Sequence, residues 1–148
     1  MVRTVVVIGA LMFCFGRADS QMSATQTAPN HGHHATTRQI QRQQVELASG
    51  SPLTISLIEV SYPPGGASPV HSHPCPVVGY VESGAVRMKV EGEVEHVFKA
   101  GESFAEAANS IHAISANASQ TEPAVFLAYF ACDHDQPLSV ETKAGASR

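Results

Sequence analysis

HSHPCPVVGYVESGAVRMKVEGEVEHVFKAGESF, residues 71–104, decides how the chain folds. No helical stripe runs through it. Short apolar runs at 77–82, 85–90 and 94–98 are cut by Ser83 and Gly84, by Glu91, Gly92 and Glu93, and by Ala100 and Gly101. Runs of this length between turn residues read as strands, because glycine supplies the backbone conformations that reversals need while the apolar side chains need one buried face. The three runs are expected to form a meander.

The same grammar extends outward. Residues 53–62 (LTISLIEVSY) alternate apolar and polar at first and shift phase at Leu57 and Ile58, as in a half-buried strand with a bulge or a two-sided end. Pro63, Pro64, Gly65 and Gly66 then stop it. Further on, residues 103–106, 111–116 and 124–132 complete the series, the last (AVFLAYFAC) being apolar enough for a strand buried on both faces. About eight short antiparallel strands hide their edges best by closing into a barrel or double-sheet jelly roll. The expectation is an all-β domain over residues 45–140.

The ends read differently. Arg3 followed by an apolar run over residues 4–16, with Ala18 and Ser20 at the −3 and −1 positions, has the form of a secretory signal over residues 1–20. The run falls short of the about 20 apolar residues that cross a bilayer, so no stable membrane insertion is expected. Leu11, Met12 and Phe13 are too bulky for a lipid-anchor signal at Cys14. The protein is expected to be secreted or periplasmic. Residues 21–44, rich in Gln, Thr and His, read as a flexible lead-in, and residues 141–148 as a flexible tail.

In composition the 148 residues are those of an ordinary globular chain with one core, 43% hydrophobic and with a formal charge of −4. Loss of Arg3, Arg17 and Asp19 with the signal would leave 7 basic and 12 acidic side chains of the original 9 and 13, a charge of −5. That balance disfavours nucleic acid as a partner.

Chemistry concentrates in the histidines. His71 and His73 are two apart, so on an extended chain their rings point to one face. His112, at the start of a later strand, could complete three nitrogens around one divalent metal ion.

With these residues the sequence resembles the cupin superfamily, whose first motif is G-x5-H-x-H-x3-E-x6-G and whose second is G-x5-P-x-G-x2-H-x3-N. Gly65, His71, His73 and Gly84 fall on the first motif, and Gly101 and His112 on the second. The departures are Val77 at the glutamate position, Ala107 and Asn109 at the proline and second glycine, and Asn117 one place late. The resemblance implies a small single-domain cupin, an antiparallel double-stranded β-helix, with the ion on His71, His73 and His112. Val77 removes the usual fourth ligand, which leaves an all-histidine site similar to that of certain cupin dioxygenases that use ferrous iron. Iron is the favoured ion, with zinc, manganese, nickel and copper as alternatives. Among polar residues that could refill the fourth place, Tyr80, Glu82 and Glu106 lie nearby, but strand parity turns Tyr80 and Glu82 outward, and water or substrate is the better expectation. The resemblance also implies a homodimer.

Of the remaining candidates, Tyr129 is a catalytic donor if it faces inward and a packing residue otherwise. Cys75, between two prolines, is a redox or ligand candidate or simply a turn residue. Cys75 and Cys132 form a pair suited to a disulfide in an oxidising compartment, but no spacing fixes their distance, and two separate thiols are the simpler reading. His31, His33 and His34 are a solvated tract or a loose metal site, and His96 and His134 read as surface residues. Ile55, Val81, Met88, Phe104, Ile114, Phe126 and Tyr129 are expected to line an apolar pocket. No hydrolase triad order, phosphate-cradling loop or Cys-x-x-Cys pair follows residue 20. Two functions fit: a metal-dependent enzyme with oxygenase-like chemistry on a small chelating molecule, or a non-catalytic protein that binds or senses a metal or small ligand. A lyase or isomerase remains open on the same scaffold.

Overall fold

The computed structural model of the chain describes residues 34–142, and these are strands and their connections. Among them no helix is long and apolar enough to cross a membrane. The expected signal, residues 21–33 with His31 and His33, and residues 143–148 lie outside the described residues.

Among the described residues ten strands follow one another: β1 (Thr36–Glu46), β2 (Pro52–Tyr62), β3 (His71–Ser72), β4 (Val77–Ser83), β5 (Ala85–Val90), β6 (His96–Lys99), β7 (Ser103–Glu106), β8 (Ile111–Asn117), β9 (Ala124–Cys132) and β10 (Val140–Glu141). They pair antiparallel in two five-stranded sheets, ordered β1-β2-β9-β4-β7 and β10-β3-β8-β5-β6. The all-β jelly roll expected from the sequence is the architecture found. Its interior is closed by the alternate side chains that both sheets turn inward, among them Val60, Tyr62, Val81, Val86, Phe126 and Phe130.

The meander is only half right. β5 and β6 form a hairpin, but β4 pairs with β7 and β9 and belongs to the opposite sheet from β5. Gly84, at φ 71°, therefore turns a corner between sheets. A Cβ there would stand 2.5 Å from the Pro123 carbonyl oxygen, so the corner needs glycine for both conformation and space.

Two ends expected to be flexible contribute strands. Residues 36–44 of the lead-in belong to β1, paired with β2 from Thr36 opposite Ser61 to Glu46 opposite Pro52. Every residue of β1 is exposed, so the strand is held by backbone pairing and by contacts such as the Arg38–Glu59 ion pair at 2.8 Å. It leaves no apolar periodicity to read. At the other end, Leu138 packs against the core and β10 pairs with β3.

Strand parity corrects three lining residues. In β8, Lys89 faces Ile114 and Val90 faces His112, which leaves Ala113 as a bulge. The extra residue reverses the alternation, so His112, Ser115 and Asn117 are buried while Ile114 is only half-buried. In β2 the inward set is Ser56, Ile58, Val60 and Tyr62, which excludes Ile55. In β9 the even residues Ala124 to Cys132 are buried and the odd ones face outward, Tyr129 with 44% of its surface exposed. That strand is buried on one face, and Tyr129 is not at the pocket. The other four expected lining residues, Val81, Met88, Phe104 and Phe126, are buried.

Candidate metal centre

Three backbone placements bring the histidines together. His71 on β3 is the register partner of His112 on β8. His73 follows β3, where its carbonyl accepts a hydrogen bond from the Asn109 backbone N–H. The rings stand with centroids 4.8 Å apart for His71 and His73, 5.2 Å for His71 and His112, and 5.1 Å for His73 and His112. All three are buried.

Glu106 joins them. Its carboxylate oxygens lie 3.5 Å from His73 Nε2 and 3.4 Å from His112 Nδ1, and its side chain is only 9% exposed. Ligand atoms of His73, Glu106 and His112 all fall within 4.8 Å of one another; the His71 ring stands beside this set. Glu106, and not only water or substrate as the sequence suggests, is thus placed to fill the fourth position. The missed signal is register: Glu106 is paired with Val77 across β4 and β7 and so shares its inward face.

Hydrogen bonding orients two rings. The Nδ1–H of His71 donates to the Pro69 carbonyl at 2.8 Å and that of His73 to the Leu138 carbonyl at 2.7 Å. Each leaves Nε2 as the free acceptor nitrogen. On His112 both ring nitrogens are buried without a hydrogen-bond partner. A polar group in that state is costly unless a partner such as a cation satisfies it. Burial lowers His73 to about 4 against the opposing hydrogen bond to Leu138, with His71 adding to the lowering. Burial, then His73 and His71, lowers His112 to about 4. Burial raises Glu106 to about 7. Neutral imidazoles beside a carboxylate that resists ionising alone form an N/O set that could hold a divalent transition metal, so the residues fit such an ion.

A cavity of about 230 Å³ opens onto His71, His73 and Glu106, walled by Ile58, Val60, Val77, Phe104, Phe126 and Phe130. A smaller one of about 70 Å³ shares Phe104 and Glu106 with it and reaches His112. At the apolar wall Gly79 admits the Phe104 ring, whose Cζ lies 2.0 Å from where a Cβ would stand. Tyr62 is buried with its hydroxyl 2.8 Å from Ser68 Oγ and 2.9 Å from Ser115 Oγ.

The family described as "Cupin domain" matches residues 58–130, a span that contains His71, His73, Glu106 and His112. The chain belongs to the cupins. Solved structures agree on the fold: the DMSP lyase DddQ from Ruegeria pomeroyi (TM-score 0.54, 18% identity, 63% of this chain and 45% of that one), a cupin domain from Bordetella pertussis (0.52, 21%, 68% and 96%), and an oxalate oxidase in complex with glycolate (0.54, 22%, 78% and 57%). The match thus spans only about half the length of the lyase and oxidase chains. No curated protein matches the sequence.

This cupin accommodates its motif departures structurally. Asn109 adopts φ 64° where the motif has glycine, a conformation asparagine tolerates better than most residues. The Ala113 bulge accounts for Asn117 lying one place late. Asn117 is still buried and ties loops together, donating to the Pro63 and Glu122 carbonyls and accepting from the Ser119 N–H.

Cys75 and Cys132 form a disulfide, Cα to Cα 5.2 Å, against the simpler reading of two thiols. The partners are distant in sequence, and the end of β9 meets the start of β4 only through sheet pairing. Cys75 is therefore neither a free thiol nor an unengaged turn residue. His96 and His134 are exposed, as expected, and His34 bridges to Ala67.

Proposed function

We propose that this cupin is an exported metal-dependent enzyme in which His71, His73, His112 and Glu106 hold one divalent ion, iron first among the candidates. Its expected chemistry is oxygenase-like, on a small organic molecule that chelates the ion. The observation that carries the reading is Glu106, which supplies from β7 the carboxylate that Val77 removes from β4. An iron ion there would activate dioxygen and polarise a chelating substrate.

The chain's own residues do the rest. The Pro69 and Leu138 carbonyls hold the His71 and His73 rings with Nε2 free, as outer partners of metal ligands do. Among the residues lining the larger cavity there is no Lys or Arg, so an anionic substrate group would find its positive partner in the ion. The Phe104, Phe126 and Phe130 rings exclude bulk water, and the cavity's size restricts the substrate to a small molecule.

Loading with ferrous iron under nitrogen, then measuring oxygen uptake with diketones, thiols and phenolic acids, tests this. Uptake that requires substrate and is lost in Glu106→Ala supports the oxygenase. Product formed without oxygen instead points to lyase chemistry, a class represented by the similarly folded DMSP lyase, while the oxidase is the oxidative example. A non-catalytic binding protein is the second reading, favoured by the engagement of Tyr62 with Ser68 and Ser115, which occupies the phenol lining the cavity. Ion retention with no turnover would select it.

Export is supported by the form of residues 1–20 and by the disulfide, a bond of oxidising compartments. A mature chain beginning at Gln21 is the expected product. For the homodimer, the outward face bearing Val78, Tyr80 and Tyr129 is the surface on which a second copy would pack, which light scattering tests.

A further inference from the structure

We infer that the segment beyond β9, residues 133–142, is a strap that positions the metal centre, rooted by the Cys75–Cys132 disulfide. The inference rests on His73 being a ligand, as proposed above. β3, which carries His71 and leads into His73, is two residues long and has β8 on one edge only. The strap covers the other edge: Val140 pairs with Ser72, Glu141 with His71, and the Thr142 N–H donates to the Val70 carbonyl at 2.9 Å. Where it arrives, the Leu138 carbonyl accepts from His73 Nδ1 at 2.7 Å, while the Leu138 side chain packs against the core and lines the cavity.

The disulfide closes this arrangement into a ring. Cys75 lies just beyond His73 on one side, and Cys132 ends β9 where the strap begins on the other. Covalent linkage at the root and a hydrogen bond at Leu138 thus enclose His73 between them. The exposed polar stretch from Asp133 to Pro137 has no apolar side chain to dock, so beyond the pairing of β9 with β4 it is the crosslink that fixes the strap's root beside His73. The geometry also selects a tautomer. An imidazole free in water favours Nε2–H, whereas the Leu138 carbonyl requires Nδ1–H and leaves Nε2, the atom facing Glu106, to bind an ion. The disulfide and strap therefore hold His73 ready before any ion arrives.

Two readouts on the full chain test this. One is the rate at which a strong chelator removes the ion. The other is the His73 tautomer in metal-free protein, read by long-range proton–nitrogen NMR, which a purely structural crosslink would not change. Cys75→Ser/Cys132→Ser is expected to keep the far-UV spectrum, release the ion about 10- to 100-fold faster, and convert His73 from Nδ1–H to a mixture. Thr142→Pro, which removes the N–H donated to Val70, should shift both readouts the same way, and it decides the matter if the double variant does not fold. Unchanged release and a single Nδ1–H form in a folded variant overturn the inference. If the native protein binds no ion, the functional reading fails, while the tautomer measurement still decides the strap's role.

Discussion

Val77 and Glu106 face each other across the antiparallel pair of β4 and β7, so the residue that lacks the family's carboxylate stands directly opposite the residue that provides one. Side chains so paired occupy one face a few ångströms apart and can exchange roles without moving the backbone.

Transposing the pair tests that equivalence. Glu106→Val alone should weaken ion binding by about a hundredfold or more, beyond the usual cost of losing an outer partner. Val77→Glu/Glu106→Val should recover most of the loss in chelator competition. A double variant as weak as the single one would mean that the two positions are not interchangeable.

Ion binding should follow pH in a direction set by burial. In the ion-free protein Glu106 titrates near 7 and His73 and His112 near 4, so between these values the imidazoles are neutral and the carboxyl carries a proton that a cation must displace. Between about 4 and 7 affinity should rise by at least about tenfold per pH unit, flattening above that range. Calorimetry in buffers of different ionisation heat should find at least about one proton released per ion at pH 6 and almost none at pH 8.

Ion-free stability carries the opposing signs. A carboxyl raised to about 7 contributes stability below its unfolded value that is lost as pH rises toward 7, while imidazoles lowered to about 4 contribute stability above 6.5 that is lost as pH falls. Two imidazoles outweigh one carboxyl, so the thermal midpoint of chelator-treated protein should fall as pH drops from 6.5 toward 4.

Gly79 leaves no room for a side chain. Gly79→Ala sets a Cβ against the Phe104 ring and should destabilise the fold by about 1–3 kcal/mol, measured by denaturant unfolding. Because Phe104 also walls the cavity, Gly79→Val should in addition perturb substrate binding.

Tyr129 is the negative control. Its ring lies on the outer face with 44% of its surface exposed, so Tyr129→Phe should leave ion content and turnover unchanged.

What the sequence made legible follows from which signals are local. Turn residues such as Gly84 and Gly101 punctuated the strands, and the period-two spacing of His71 and His73 put their rings together. Glu106 is not distinguished by the sequence, because its partner is found only when β7 pairs with β4, and parity on one strand says nothing of the strand beside it. Ile114 is turned from the interior by a bulge at Ala113 that shows only in the pairing. β1 escaped because an edge strand exposed throughout carries no burial pattern, although it pairs along nearly all of β2.

The most direct test of the metal centre is the ion content of native protein, measured by plasma mass spectrometry beside a His73→Ala/Glu106→Ala variant that retains the native far-UV spectrum. The account predicts close to one equivalent of a divalent transition metal in the native protein and almost none in the variant. No metal in the native protein after incubation with each candidate ion, or equal amounts in both, would contradict it.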